Sequence, residues 1–142
     1  MPPIDRFVAE TEIGVRYAET DAQGVVYHAN YLVYMEEGRT AFSQQRGMNY
    51  VDFEKSGYFM IVTDVNLHYL RPARYGDRIV VRVWVHELRS RTIVFGYEIA
   101  LCGEGAVLVT GETKHMCVDR QGKVTRIPDA WATAFLPNAA PS

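Results

Sequence analysis

A carboxylate, a histidine and an asparagine fall close together in the stretch Tyr17–Tyr31, which reads YAETDAQGVVYHANY. Asp21 sits in a loop with Gly24. The apolar pair Val25 and Val26 follows, and His28 and Asn30 come where a helix should begin. Asn is a favoured N-cap because its side-chain oxygen accepts a hydrogen bond from an amide of the first turn. The free amides and the dipole at that end favour negative charge. A carboxylate beside such a helix start is one way to build an acyl-transfer site. An Asp in a turn before a helix is more often a turn residue, so the local pattern alone leaves both roles open.

Other familiar chemistries have no support. There is no GxSxG, and Ser43, Ser56, Ser90 and Ser142 carry no nucleophile signature. His86-Glu87 lacks the second histidine of HExxH, and there is no P-loop. Gly103-Glu104-Gly105 has Leu108 where a dinucleotide fingerprint needs its third glycine, so a hairpin explains it better. Cys102 and Cys117 form no CxxC and read as reduced, partly buried thiols; no metal site and no cofactor are expected.

The whole string resembles the signature of the 4-hydroxybenzoyl-CoA thioesterase family, in particular its YbgC-like acyl-CoA thioesterases. It departs at Glu19, where Asp or Gly is usual, and at Gln23, where Gly is usual. The resemblance implies a hotdog fold, an α+β architecture with an antiparallel sheet wrapped around one long central helix. It implies an acyl-CoA thioesterase releasing free acid and CoA from a short-chain or aromatic acyl-CoA. It puts the catalytic carboxylate at Asp21 and the oxyanion-polarising amide at His28, and makes Tyr17, Gly24, Val25, Tyr27, Asn30 and Glu36 candidate substrate-binding residues. Thiolate departure, at a thiol pKa near 8.5, needs no obligatory protonation. One carboxylate and a helix N-terminus therefore suffice, with Asp21 as nucleophile or as general base.

A second cluster is basic. Arg71, Arg74, Arg78, Arg82, Arg89 and Arg91 make up half of the chain's arginines. Arg89-Ser90-Arg91 sits at a turn between two strong strands, where two guanidiniums flanking a hydroxyl can grip a phosphate or simply face water. The resemblance assigns Arg89, Ser90 and Arg91 to the phosphates of coenzyme A. Arg71 and Arg74, around Pro72, are expected to order a turn. Two other readings stay open: a hotdog dehydratase or hydratase pairing His28 with Asp21, and a non-catalytic acyl-thioester-binding module, which the departures at Glu19 and Gln23 keep alive. Released thiol, or a new double bond with the thioester intact, tells the two enzymes apart; no turnover on any acyl-CoA leaves the module.

The elements that must position these residues read in order. Residues 12–17 alternate as a half-buried strand. From Asn30 to Arg46 the pattern is helical, with Gly47 as the stop and Asn30 as the cap. Gly38 inside that helix permits close packing against a sheet, and Glu37 and Arg39 read as a solvated edge. Met48–Gly57 reads as irregular. Runs around Val65–Tyr69, Ile79–Val85, Ile93–Leu101 and Val107–Val118 read as strands, and Pro128 starts a short helix. Strands after one early helix, without βαβ alternation, argue α+β.

At 142 residues, 48% hydrophobic and 23% charged, the chain is expected to be a single domain, residues 1–142. A net charge of −2 gives no basic field for nucleic acid. No apolar run suits a signal peptide or a membrane span, so a cytoplasmic location is expected. A lone hotdog sheet leaves an edge open, and the resemblance implies a homodimer or a dimer of dimers, often a homotetramer. The tail Pro137–Ser142 is expected to be loose.

Overall fold

The computed structural model describes residues 2–136; the tail expectation lies outside them. Five strands form one sheet: β1 (Ala9–Gly14), β2 (Phe59–Tyr69), β3 (Arg78–Leu88), β4 (Thr92–Leu101) and β5 (Val107–Val118). Their order is β1-β3-β4-β5-β2, antiparallel at every pairing. One long helix, α1 (Asn30–Gln45), packs on the sheet, and two short ones, α2 (Tyr50–Lys55) and α3 (Asp129–Ala134), close its flank. This is the expected hotdog arrangement.

The core follows from two periods. Along β3, Ile79, Val81, Val83 and Val85 are buried, and along β4 Ile93, Phe95, Tyr97 and Ile99 are buried. Branched and aromatic side chains at every second position suit a pleated face. On α1 the buried residues are Tyr31, Tyr34, Met35, Gly38 and Phe42, spaced by three and four. Gly38 is the closest approach: a Cβ there would lie 2.7 Å from Val83 Cγ2 and 2.8 Å from Val81 Cγ1. Gly38→Ala is therefore expected to destabilise. Overpacking against two stiff valines costs about 1–3 kcal/mol, and only about 1 kcal/mol of that is returned by helix propensity. A melting temperature at or above wild type would show that the helix can lift off the sheet freely.

Three local expectations need correction. The first strand is β1 at Ala9–Gly14, not residues 12–17. Val15 is buried, but Tyr17 opens a 3-10 turn, Tyr17–Glu19, and is 75% exposed. Glu19 accepts from the Arg16 amide at 2.9 Å, which turns the chain out of the strand. The stretch expected to be irregular contains α2. Asn49 caps it, its Oδ1 accepting from Val51 N at 2.9 Å. Six residues are too few to show a helical period. Asn30 is the first residue of α1 rather than its cap. The cap position, Ala29, makes no side-chain cap bond.

Among the described residues β2 pairs with β5 alone, so its other edge is open, and several of its apolar side chains are exposed. Ile61, Val62, Val65 and Tyr69 are between 45% and 52% exposed, and Leu32 and Val33 of α1 are exposed too. Both thiols are free, with Cys117 buried and Cys102 half-buried. No helix among the described residues is long and apolar enough to cross a membrane. The same residues contain no group of three or more His, Cys, Asp or Glu side chains that could hold a metal ion.

Candidate active site

The loop between β1 and α1 is tied at both ends. Thr20 bridges Val26, and Asp21 N donates to Val25 O at 2.8 Å. Gly24 N donates back to Asp21 O at 3.0 Å, and Gly24 takes φ 80°, a conformation that suits glycine. Asp21 Oδ1 accepts from Gln23 N at 2.8 Å, which fixes the carboxylate in an Asx turn. Asp21 is exposed, and no cation pairs with it among the described residues. Gln23 has no positive φ, so a side chain is tolerated where the family has glycine; the loop uses its backbone amide.

Glu19 is the knot that joins this loop to α1. Its Oε1 accepts from Arg16 N at 2.9 Å and from Tyr34 Oη at 2.8 Å, and its Oε2 accepts from Arg16 Nε at 3.1 Å. Burial pushes its carboxyl up, but the bonds from the Arg16 amide, Tyr34 and the Arg16 guanidinium outweigh burial and hold it below the usual value. Burial, with the Glu19 carboxylate beside it, pushes the Tyr34 phenol well up. The Glu19 carbonyl accepts from Tyr27 N at 2.9 Å and from Asn30 Nδ2 at 2.9 Å. Asn30 thus works as a tie between loop and helix. Sequence flagged Glu19 only as a departure. Its bonding to residues 16, 27, 30 and 34 is what a carboxylate gains when a chain turns back on itself.

The other expected residues divide by place. Val25 bridges Arg74, and Val26 N donates to Ala73 O at 2.9 Å. Arg74 N donates to Asp77 Oδ2 at 2.9 Å, so the turn after Pro72 is ordered by the Asp77 carboxylate on a backbone amide rather than by the guanidinium of Arg71 or Arg74. The exposed Tyr27 ring lies 4.5 Å from that of His28, and the His28 carbonyl accepts from Tyr69 Oη at 3.2 Å. Tyr17 faces outward, edge-on to Tyr75 at 5.7 Å. Asp21, Gly24, Val25, Tyr27 and His28 therefore share one loop beside the C-terminal end of β2, and Asn30 opens the helix that follows it.

Glu36 lies elsewhere. It lines a cavity of about 310 Å³ between α1, α2, α3 and the sheet, with Arg39 and Ser43 beside it. Met60 and Val62 come from the start of β2, Phe95 and His115 from the sheet, and Trp131 and Phe135 close the top. Neither Asp21 nor His28 lines it. Arg39, expected at a solvated edge, is half-buried here and donates to Tyr97 Oη at 2.9 Å. Glu37 is exposed, as expected. Burial and the charge of Arg39 pull the His115 pKa from 6.5 down to about 4.

That shift has a consequence for stability. Between pH 6.5 and about 4, an unfolded chain takes up a proton at His115 that the folded chain refuses. Stability from this group is complete above that window and falls as pH falls through it, by up to about 3 kcal/mol. His115→Leu is expected to be less stable at pH 7 and to melt with a shallower acid dependence. Equal acid slopes in variant and wild type would show that His115 is protonated when folded.

Arg89, Ser90 and Arg91 form the exposed tip of the β3–β4 hairpin, closed by Arg89 N donating to Thr92 O at 2.9 Å. Ile127 N donates to Ser90 O at 2.8 Å and Cys117 N to Arg91 O at 2.9 Å, so the tip is anchored from below. Arg89 pairs with Glu87, whose carboxyl this guanidinium holds below the usual range. Thr92 faces Met116 in the β4–β5 register, and Cys117 faces Met60. The tip is therefore at the cavity's end of the sheet, far from Asp21 of the same chain.

The family model of the thioesterase-like superfamily matches residues 15–135, which takes in the loop, α1 and the whole cavity. The chain belongs to that superfamily. Its resemblance to the YbgC-like thioesterases holds, and its class of activity is thioester hydrolysis. A putative acyl-CoA thioesterase, YneP of Bacillus subtilis, is 44% identical over 114 residues, which is 80% of this chain and 82% of the relative. The acyl-CoA thioester hydrolase YbgC of Escherichia coli O6:H1 is 29% identical over 75% of this chain and 79% of the relative. The DHNA-CoA thioesterase of Staphylococcus aureus superposes with TM-score 0.86 at 34% identity, over 90% of this chain and 88% of that one.

Proposed function

We propose that this member of the superfamily hydrolyses acyl-CoA thioesters, with Asp21 as the catalytic carboxylate and the amide at His28, at the entry of α1, polarising the thioester carbonyl. The observation that carries the reading is Asp21 itself: a carboxylate oriented by the Gln23 amide, exposed, and left without a cation among the described residues. A base in a dehydratase would need His28 and Asp21 to work as a pair. The His28 ring instead lies tilted against Tyr27 and edge-on to Tyr69, and makes no hydrogen bond with Asp21.

The parts of the site are complete only in a dimer. Tyr69 beside the His28 carbonyl and Met60 in the cavity are nine residues apart on β2, roughly 30 Å. Two copies pairing along their open β2 edges, antiparallel and about a two-fold axis, bring the Tyr69 end of one against the Met60 end of the other. Asp21 of one copy then faces the cavity and the basic hairpin of its partner, and the exposed Val62, Val65 and Tyr69 are covered. The acyl group lies in the cavity, and the nucleotide of coenzyme A lies toward Arg89 and Arg91.

A panel of short-chain and aromatic acyl-CoAs, assayed by thiol release, tests the activity; no release on any of them sinks it. The hairpin has its own test. The nucleotide is remote from the reacting carbon, so contacts to it bind ground and transition states alike. Arg89→Ala with Arg91→Ala is expected to raise KM for an acyl-CoA with little change in kcat, more at low salt than at high salt. The pair should leave turnover of a short acyl-pantetheine, which lacks the nucleotide, almost unchanged. Equal losses on both substrates would assign the arginines to the fold or the chemistry instead.

A further inference from the structure

The cavity beside α1 carries a polar line that thioester hydrolysis does not use. Arg39 Nη1 donates to Tyr97 Oη at 2.9 Å, Tyr97 Oη is 2.6 Å from Thr113 Oγ1, and Thr113 Oγ1 is 2.8 Å from His115 Nε2. Tyr97 and Thr113 are each 1% exposed, while Arg39 and His115 reach the cavity wall.

One set of hydrogen directions gives every group in this line a partner. A guanidinium only donates, so Tyr97 Oη accepts from Arg39. The Tyr97 hydrogen then goes to Thr113, because a buried hydroxyl hydrogen without an acceptor is costly and no buried side-chain polar atom here lacks a partner. Thr113 passes its own hydrogen to His115 Nε2. A neutral imidazole that accepts at Nε2 carries its hydrogen on Nδ1. Nδ1 has no protein partner among the described residues, so it opens to the cavity. Tyr50 Oη, also on the wall, accepts from Met60 N at 3.0 Å and so has its hydrogen to give. Arg39 has no carboxylate partner among the described residues; Glu36, one turn back and exposed, does not pair with it.

The wall thus offers donors, one of them a cation, set among Phe95, Phe135 and Met60; the exposed Glu36 carboxylate lines the same cavity and does not pair with Arg39. We infer that the cavity takes an acyl chain ending in a carboxylate, read by Arg39 and the Nδ1 hydrogen of His115, so that the preferred substrate is the CoA thioester of a dicarboxylic acid. The aromatic and thioether side chains cover the methylenes between the two ends. A volume of 310 Å³ holds roughly ten non-hydrogen atoms at liquid packing, which suits a six-carbon diacid.

This inference rests on the acyl-CoA reading, and the experiment separates the two. Adipoyl-CoA, its neutral terminal amide and hexanoyl-CoA are compared by kcat/KM in the wild-type protein and in Arg39→Gln. The wild type is expected to favour adipoyl-CoA by about tenfold or more over both others, and Arg39→Gln to bring the ratios close to one. Hexanoyl-CoA or the amide equal to or better than adipoyl-CoA in the wild type overturns the inference, and that comparison needs no variant to fold. Ratios that survive in Arg39→Gln overturn it as well. The same three ligands are also titrated calorimetrically into Asp21→Asn protein. If no acyl-CoA is turned over, the hydrolase reading fails, and the order of binding still decides whether the cavity selects a carboxylate.

Discussion

Asp21→Asn is expected to fold like the wild type and to lose acyl-CoA hydrolysis by a factor of about 10³ or more. The substitution is nearly isosteric. Its amide oxygen can still accept the Gln23 amide that now meets Oδ1 at 2.8 Å, so the turn survives. The Glu19 knot, which holds the loop to α1, is untouched. What disappears is an anionic oxygen able to attack a carbonyl or to take a proton from water. Nothing else in the loop replaces it: His28 makes no hydrogen bond with Asp21, and Glu19 is engaged by Arg16 and Tyr34. Thiol release measured beside a thermal melt checks both halves. Turnover close to wild type in a folded variant would remove Asp21 from the chemistry. The two roles of Asp21 are separable by single turnover in ¹⁸O-water. Direct attack forms a mixed anhydride, and water opening it at the Asp21 carbonyl leaves label on the Asp21 carboxylate, whereas general-base catalysis labels only the released acid; label on Asp21 is therefore the mark of direct attack.

The sequence was most legible where one period decides the structure. The alternation along β3 and β4 and the three-four spacing of α1 each put their branched or aromatic side chains on the core. Gly38 could be read as a contact point because a helix interior has little other use for glycine. Legibility ended where a polar side chain chooses among partners distant in the chain. Asn30 has the chemistry of a cap, yet it serves better as a donor to the Glu19 carbonyl, once the 3-10 turn has brought that carbonyl over the helix. Arg39 interrupts an apolar stripe, which on a helix alone means water. Only the β4–β5 register, which sets Tyr97 against Gly111 and Thr113 two residues on, shows that a buried phenol waits for it. Thr113 and His115 did share a signal, two polar residues at alternate positions of a buried strand. Their use depends on a cavity that no local pattern encodes.

Val65→Asp is expected to abolish both association and activity while leaving the protomer folded. Val65 is about half exposed near the middle of the open β2 edge, so a carboxylate there meets water in a single copy. In a paired edge it would be buried beside its own symmetry mate. A buried, unpaired charge costs about 3–5 kcal/mol, and the two-fold axis applies that cost twice. Light scattering should give a monomer where the wild type gives a dimer or larger. Turnover should vanish with it, because Asp21 and the cavity then belong to different molecules. Complementation gives the sharper test. Ser43→Trp fills the cavity from its α1 wall, and Asp21→Asn removes the carboxylate. Each variant alone is expected to be inactive. Mixed after subunit exchange, half the dimers are hybrids, and each hybrid has one intact Asp21 facing one intact cavity. About a quarter of wild-type activity should return. If Asp21 worked with the cavity of its own chain, every site in the hybrid would carry one defect and nothing would return.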